Sequence, residues 1–166
     1  MSKFVFFLVA SLTAFGLAAP ASAALGPDAA ACSEGRPALL VSVNGFKARS
    51  GKLRVQLYGD NPDTFLAKGA KLKRIDLPVT GGTMNVCVAV PHPGIYAVAV
   101  RHDVNGDNSR GDWSDGGGFS NNPSLSLLHL KPSLRQAAVS VGNGVKTVSV
   151  TLLYRHGLSI GPAGRD

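Results

Sequence analysis

Residues 93–122 read PGIYAVAVRHDVNGDNSRGDWSDGGGFSNN and carry the pattern that decides the fold. The apolar run at residues 95–100 is typical of a buried strand, with alternate side chains on its two faces. It leads directly into a stretch dense in Asp, Asn and Gly. A rigid strand that feeds a polar loop is a common way for a β-protein to present a ligand site. The sequence therefore predicts a buried strand with a site beside it.

The start of this strand resembles the tyrosine corner of immunoglobulin-like sandwiches. In that motif, a Tyr near the start of a strand hydrogen-bonds back to upstream backbone. Tyr96 follows Gly94 and Ile95 in the required place. The alternative is that Tyr96 is an ordinary core tyrosine.

The same alternation of apolar and polar residues recurs in short stretches along the chain, separated by turns such as Asn44-Gly45 and Gly81-Gly82. Such a pattern with one minor helix predicts an all-β fold, an antiparallel β-sandwich of about seven strands. The predicted strands cover residues 39–43, 53–57, 72–79, 83–90, 95–100, 138–141 and 145–154.

Three connecting features complete this prediction. Asn61 and Pro62 suit the cap and first position of one short helix that ends at Gly69. Residues 138–141 and 145–154 are expected to pair as a hairpin across a Gly-Asn-Gly turn. Residues 103–136 form a long acidic, Gly-rich loop, and the leucines of its second half are expected to pack back on the sandwich.

Residues 1–23 have the form of a secretory signal peptide, with Lys3, an apolar stretch and a small-residue cleavage site that ends at Ala23. A membrane anchor is the alternative, but the apolar run is short and Pro20 interrupts it. The expected location is the periplasm or the outside of the cell. The expected parts are the signal peptide 1–23, an extended N-terminal segment 24–37, the sandwich 38–154 and a loose C-terminal tail 155–166.

Cys32 and Cys87 are the two cysteines of the chain. In an exported protein they are expected to form a disulfide, which stabilises by about 4 kcal/mol when it closes a loop of this length. Cys87 falls on the strand face opposite a row of Val, so the bridge is expected to tie the N-terminal segment across the outside of a sheet. Lipidation of Cys32 is the alternative.

The formal net charge is +7, and it falls to +6 once Lys3 is removed. A basic exported protein is suited to contact an anionic envelope polymer or lipid headgroups. The alternative is a solvated surface without a partner. The compartment and the lack of a binding motif exclude nucleic acid, and the chain is expected to act as a monomer.

Oxygen side chains alternate at Asp103, Asn105 and Asp107, directly after the buried strand. Alternate oxygens on a tight turn can converge on a hard cation, so the sequence predicts a calcium site, with Asp112 and Asp115 as further ligands. The pattern departs from an EF-hand, because Gly comes too early and no Glu follows. The alternative is a turn whose Asx side chains cap its own backbone.

Three more side chains of this region are candidates for ligand contact. His102 stands at the strand end, where it either contacts a ligand or is hydrogen-bonded at the rim of the core. Trp113 and Phe119 either stack on a flat ligand such as a sugar or pin the loop to the sandwich. Signatures of thiol redox, zinc protease and phosphate-loop enzymes are missing from the sequence. The G-x-S-x-G match at residues 157–161 lies in the tail with no His after it, so no catalytic residue is predicted.

Three segments resemble one bacterial family: GKLRVQLY at residues 51–58, PGIYAVAVRHDVNGD at residues 93–107 and GFSNN at residues 118–122. Together they are similar to the family known as domain of unknown function 2141, over roughly residues 38–154. The resemblance implies an exported β-sandwich of immunoglobulin or transthyretin-like type and carries no known activity. It implies a signature loop that includes His102, Asp103, Asn105, Asp107, Phe119, Ser120 and Asn121, and Ser120 and Asn121 are further candidates for ligand binding.

These observations give three hypotheses for function. The first is a non-enzymatic exported module that binds calcium or a polar ligand through the loop at residues 102–122. The second is an envelope structural or interaction protein whose acidic loop is a turn without metal. The third is a hydrolase that uses Asp residues of the loop.

Overall fold

The structure, a computed structural model, describes residues 23–109 and 112–164. Apart from Ala23, the predicted signal peptide lies outside these residues, so export stays a prediction. Within the described ranges, no helix is both long enough and apolar enough to cross a membrane.

The described residues form ten strands and two short helices. The helices are α1 Ala29–Ser33 and α2 Leu134–Ala137. The strands are β1 Ala38–Asn44, β2 Lys52–Tyr58, β3 Lys73–Pro78, β4 Thr83–Ala89, β5 Gly94–Asp103, β6 Gly116–Phe119, β7 Ala138–Val141, β8 Val145–Thr151, β9 Leu153–His156 and β10 Ser159–Pro162.

These strands build two facing sheets. The smaller has the order β4-β1-β8, and the larger has the order β10-β9-β6-β5-β2-β3, with β7 paired to the first part of β5. Neighbours are antiparallel except β1 and β8, which run parallel. The predicted all-β sandwich is confirmed, with ten strands in place of about seven and with one parallel pair.

A hydrophobic core fills the space between the sheets. Alternate residues of each central strand enter it because successive side chains of a strand point to opposite faces. The most buried members are Leu39, Val41 and Val43 of β1, Leu53, Val55 and Leu57 of β2, Val86 and Val88 of β4, and Tyr96, Val98 and Val100 of β5.

The tyrosine corner is confirmed. Tyr96 is buried at the start of β5, and its hydroxyl donates a hydrogen bond of 2.7 Å to the backbone oxygen of His92. This bond fixes the turn that enters the central strand of the larger sheet.

The predicted hairpin at residues 138–154 is wrong. β7 pairs with β5 in the larger sheet, whereas β8 pairs with β1 in the smaller one. The fully buried Leu152 lies where the chain passes from β8 into β9 of the larger sheet. The alternation of apolar residues continues through this crossing, so the sequence period does not reveal the change of sheet.

Three peripheral segments also differ from expectation. The N-terminal segment, predicted to be extended, contains α1. Residues 62–66 form turns rather than a helix, and the backbone of Leu66 is left-handed (φ 62°), which ends any right-handed helical path. The predicted loose tail contains β10, which pairs with β9 as a hairpin.

The long loop is shorter than predicted because its glycine run forms β6 beside β5. Its leucines pack back only in part. Leu125 and Leu127 are half-buried, whereas Leu128 and Leu130 are 89% and 51% exposed.

Cys32 and Cys87 form the predicted disulfide, with a Cα–Cα distance of 6.0 Å. Cys87 is fully buried with Ala31 and Ala38 in a small cluster outside the main core. The bridge therefore holds α1 against the outer face of β4, as the strand pattern predicted.

Candidate functional site

The predicted metal loop begins with Asp103 at the end of β5. The carboxylate is 1% exposed, and it accepts backbone hydrogen bonds of 2.8 Å from Gly106 and 2.9 Å from Asn108. Gly106 and Asn108 both have positive φ, which suits residues without a bulky side chain. Each carboxylate oxygen of Asp103 accepts from one of these N–H groups, so the side chain holds the following loop backbone close to the end of β5.

An amide links the next two carboxylates. Asn105 Nδ2 donates to Asp107 Oδ2 and to Asp112 Oδ2, each at 3.0 Å. The other oxygens of the two carboxylates accept from the backbone of Ser109 at 2.6 Å and of Ser114 at 3.1 Å. The hydrogen bonds from Ser109 lower the pKa of Asp107 below its ordinary value. A neutral donor thus stands between these carboxylates.

The last carboxylate, Asp115, is paired with an arginine. Arg101 Nε and Nη2 lie 2.9 and 2.7 Å from Asp115 Oδ2, and Asp115 Oδ1 accepts from the backbone of Val104 at 3.2 Å. Arg101 Nη2 also lies 3.7 Å from Asp103 Oδ2 and donates to the backbone oxygen of Ser109. One guanidinium therefore holds both ends of the loop together.

These contacts favour the metal-free alternative. In residues 23–109 and 112–164, no three His, Cys, Asp or Glu side chains come together so that they could hold a metal ion. The carboxylates accept from backbone N–H groups, an amide and a guanidinium, which is the pattern of Asx turns. The calcium site stays a prediction without geometric support.

His102 lies in the core, fully buried. Its Nε2 is 2.9 Å from the backbone oxygen of Ser50, which can only accept, so Nε2 carries a hydrogen. Its Nδ1 then accepts from the hydroxyl of Tyr154 at 2.6 Å, and that hydroxyl accepts from the backbone N–H of Lys47 at 3.0 Å. The imidazole is thus fully used in holding two loops on the sandwich, and it is not exposed to a ligand.

Tyr154 was not among the residues predicted from the sequence. It is 1% exposed, and its burial raises the pKa of the phenol to about 12. Its ring lies against the backbone of β6, where a Cβ on Gly116 would be 2.3 Å from Cε1. A methyl-sized Cβ on Gly118 would lie 2.8 Å from the backbone oxygen of Thr151. The glycine run is therefore a strand that needs small residues for packing.

The Ser-Asn-Asn segment after β6 is structural. The fully buried Ser120 accepts from the backbone N–H of Val98 at 2.9 Å and donates to the backbone oxygen of Ala137. Asn121 Nδ2 donates to the backbone oxygen of Ala138 at 2.8 Å. Asn122, which was not predicted from the sequence, hydrogen-bonds the backbone of β8 with its side-chain amide. Its Oδ1 accepts from the backbone N–H of Thr151 at 2.8 Å, and its Nδ2 donates to the backbone oxygen of Ser149 at 3.1 Å.

The two aromatic candidates differ in exposure. Phe119 is half-buried and packs on the cluster that contains Ala97 and Leu134, so it holds the end of β6 against the sandwich. Trp113 is 68% exposed, and the guanidinium of Arg155 lies 3.0 Å from the centroid of its ring. Trp113 is therefore the one aromatic side chain of the predicted set that is presented to solvent.

A shallow cavity of about 430 Å³ lies on the outer face of the larger sheet, and sequence reasoning did not find it. We call it the basic groove. Arg54 and Gln56 of β2 line it because they alternate with the core residues of that strand. The other cations that line it are Lys68, Lys71, Arg74 and Arg101.

Ion pairs neutralise only part of this charge. Arg54 Nε and Arg74 Nε share Asp76, at 2.7 and 2.6 Å. Burial by itself would raise the pKa of Asp76, but hydrogen bonds and charge from the two arginines lower it below its ordinary value. Lys68 and Lys71 have no ion-pair partner within the part of the chain that the structure describes.

Residues 41–149 match the model of a family described as uncharacterized proteins conserved in bacteria, DUF2141. The chain belongs to this family. The match includes the whole of the 102–122 loop and the basic groove, so the resemblance that the sequence suggested is confirmed. No curated protein and no solved structure matches the chain significantly. Membership of DUF2141 supplies no activity.

Proposed function

We propose that this protein is an exported, non-enzymatic β-sandwich that binds an acidic polysaccharide of the cell envelope in the basic groove. The observation that carries the proposal is the pair Lys68 and Lys71, two cations without ion-pair partners among the described residues, beside three arginines on one sheet face. Asp112 and Asp115 also line the groove, so its five cations exceed its carboxylates by three. An excess of one sign of charge in a groove concentrates ligands of the opposite sign.

The arginines of the groove are held in position. Arg54 is 8% exposed, and its Nη2 donates to Asn108 Oδ1 at 3.1 Å in addition to its ion pair with Asp76. Arg101 is held by Asp115. Fixed guanidinium groups lose little freedom when a carboxylated chain binds, and the two lysines supply the charge that attracts it.

The acidic loop supports the groove in this account. Its carboxylates hold Arg101, and its residue Asn108 holds Arg54. The loop thus holds two arginine side chains in place to bind an anionic ligand. The sequence had suggested that the loop itself binds a metal cation. The described carboxylates of the loop are held by hydrogen bonds or an ion pair and His102 is buried, so these residues do not favour the hydrolase hypothesis.

The alternative is an interaction protein whose basic face has no polysaccharide ligand. The disulfide of Cys32 and Cys87 fits either proposal, because both place the protein in an oxidising compartment.

The test is calorimetric titration with alginate, a carboxylated polysaccharide, at low ionic strength. The variant Lys68→Glu with Lys71→Glu reverses two groove charges, and Lys131→Glu with Lys146→Glu makes the same change in net charge at exposed sites elsewhere. We expect the groove variant to lose about tenfold in affinity and the control to lose little. Equal losses in both variants, absence of binding, or binding only to phosphatidylglycerol vesicles would contradict the proposal.

A further inference from the structure

A second cavity, of about 310 Å³, lies beside Trp113 and shares Asp112, Asp115 and Gly117 with the basic groove as lining residues. We call it the apolar slot. Most of its wall consists of aliphatic and aromatic side chains from β6, from the loops before and after β6, and from the β9–β10 hairpin. They include Trp113, Phe119, Leu125, Leu127, Leu130 and Ile160.

The slot adjoins another cavity of about 280 Å³, and the two share Phe119, Leu125, Leu153 and Ile160 as walls. The volume is in the range of small-molecule sites, and those sites are mostly apolar with a few placed polar groups. Aliphatic and aromatic walls that continue from one cavity into the next suit an alkyl chain, which has no polar groups to satisfy.

One cation stands at this slot. The guanidinium of Arg155 lies over the ring of Trp113, and its Nε donates to the backbone oxygen of Gly157 at 2.8 Å. Arg155 has no ion-pair partner among the described residues, so its terminal nitrogens remain free to bind an anion. The stacked ring holds the guanidinium at the edge of the apolar wall.

The slot also contains two carboxylates, and both are engaged. Asp115 is paired with Arg101 at 2.7 Å. Asp112 accepts hydrogen bonds from Asn105 and from the backbone of Ser114. These hydrogen bonds hold Asp112 in place but bring it no counter-charge. Arg155 is the one cation among the described residues that line the slot, so an anion that binds there binds at Arg155.

We propose that the apolar slot binds a single-chain carboxylate amphiphile, with its alkyl chain along Leu125, Leu130 and Ile160 and its carboxylate on Arg155. The exposed Trp113 and Leu130 lose water-exposed apolar surface when the chain binds. The positive charge of Arg155 and the aliphatic walls favour this occupant. This proposal does not depend on the basic groove. The double variant Lys68→Glu with Lys71→Glu is expected to bind the amphiphile in the apolar slot as the wild type does.

Trp113 is the single tryptophan of the chain, so its fluorescence reports the site directly. The experiment titrates the folded protein with octanoate, decanoate and dodecanoate below their micelle concentrations, and with decanol as the uncharged analogue. We expect a blue shift that saturates, an affinity that rises about three- to fourfold for each added methylene, and weaker binding of decanol. Calorimetry with Arg155→Gln is expected to show decanoate and decanol binding equally.

Leu130→Asp is expected to abolish binding, whereas Leu128→Asp should leave it intact. Both leucines are exposed in the same loop, but only Leu130 lines the slot. Melting curves check that both variants fold. The proposal is overturned if decanoate does not change the fluorescence spectrum, or if the two leucine variants have equal effects on binding. It is also overturned if the wild type binds decanoate and decanol with equal affinity. A fluorescence response to chitotetraose or to anionic vesicles, without a response to monomeric decanoate, would contradict it as well.

Discussion

Arg101 Nη2 lies 2.7 Å from Asp115 Oδ2, and this contact joins the end of β5 to the start of β6 across the acidic loop. The side chains are 20% and 9% exposed. A guanidinium therefore compensates a carboxylate that the sequence assigned to a metal ion.

Removal of this guanidinium should destabilise the fold. Arg101→Ala leaves the carboxylate of Asp115 in a largely buried position without its charge partner, and we expect a loss of about 3 kcal/mol in the free energy of unfolding. Arg36→Ala is the control, because its pair with Glu34 is more than half exposed, and we expect almost no change. Urea denaturation measures both. A loss for Arg101→Ala as small as that for Arg36→Ala would contradict the role given to this pair.

Asp103 should stabilise the loop with or without calcium. Asp103→Ala removes the acceptor of two backbone N–H groups, so we expect a loss of about 2 kcal/mol in buffers that contain either calcium or a chelator. The melting temperature of the wild type should be the same in both buffers. A bound ion at a hundredfold excess over its dissociation constant would stabilise by about 2.7 kcal/mol, so a calcium-dependent rise of several degrees would restore the metal hypothesis.

Tyr154 should make stability depend on alkaline pH. Its pKa is raised in the folded protein to about 12, whereas a Tyr in the unfolded chain titrates near 10. The unfolded state therefore releases its proton first, so this contribution is complete below about pH 10 and is lost between about pH 10 and 12. We expect the wild type to lose about 2 kcal/mol more than Tyr154→Phe over this interval, measured by denaturation at each pH. Parallel curves for the two proteins would contradict the burial of the phenol.

The glycines of β6 should differ in tolerance. A Cβ at Gly116 would meet the ring of Tyr154, whereas the nearest atom to a Cβ at Gly117 is a backbone oxygen at the ordinary distance of 3.6 Å. We expect Gly116→Ala to cost about 1–3 kcal/mol and Gly117→Ala to be nearly neutral. Urea denaturation of the two single variants checks this order, and the reverse order would contradict the packing of Tyr154 on β6.

Local periodicity was enough to predict the central strands. Alternation located β1, β2, β4 and β5, and the motif around Tyr96 located the tyrosine corner, because these features depend on neighbouring residues. The disulfide followed from having two cysteines in a chain with a predicted export signal. Periodicity did not show that the chain passes from one sheet to the other at Leu152. Alternate residues before and after Leu152, such as Val150 and Tyr154, all point into the same core, so the pattern is unbroken.

The site was harder to predict because its contacts are long-range. Asx turns and calcium loops use the same residue types, and the choice between them here depends on Arg101, which is 14 residues from Asp115. The partner of His102 is 52 residues away. The lysines of the basic groove lie in a segment whose Asn-Pro start indicated a helix, although Leu66 adopts a left-handed backbone there.

The most direct test of the account is an amide NMR titration of ¹⁵N-labelled protein with a short alginate oligomer. If the basic groove binds the anion, the shifts should concentrate at Gln56, Lys68 and Lys71 and be suppressed by salt. Residues of the opposite sheet, such as Lys146, should not shift. Shifts spread evenly over the exposed lysines, or no shifts at all, would contradict the claim that this groove is the binding site.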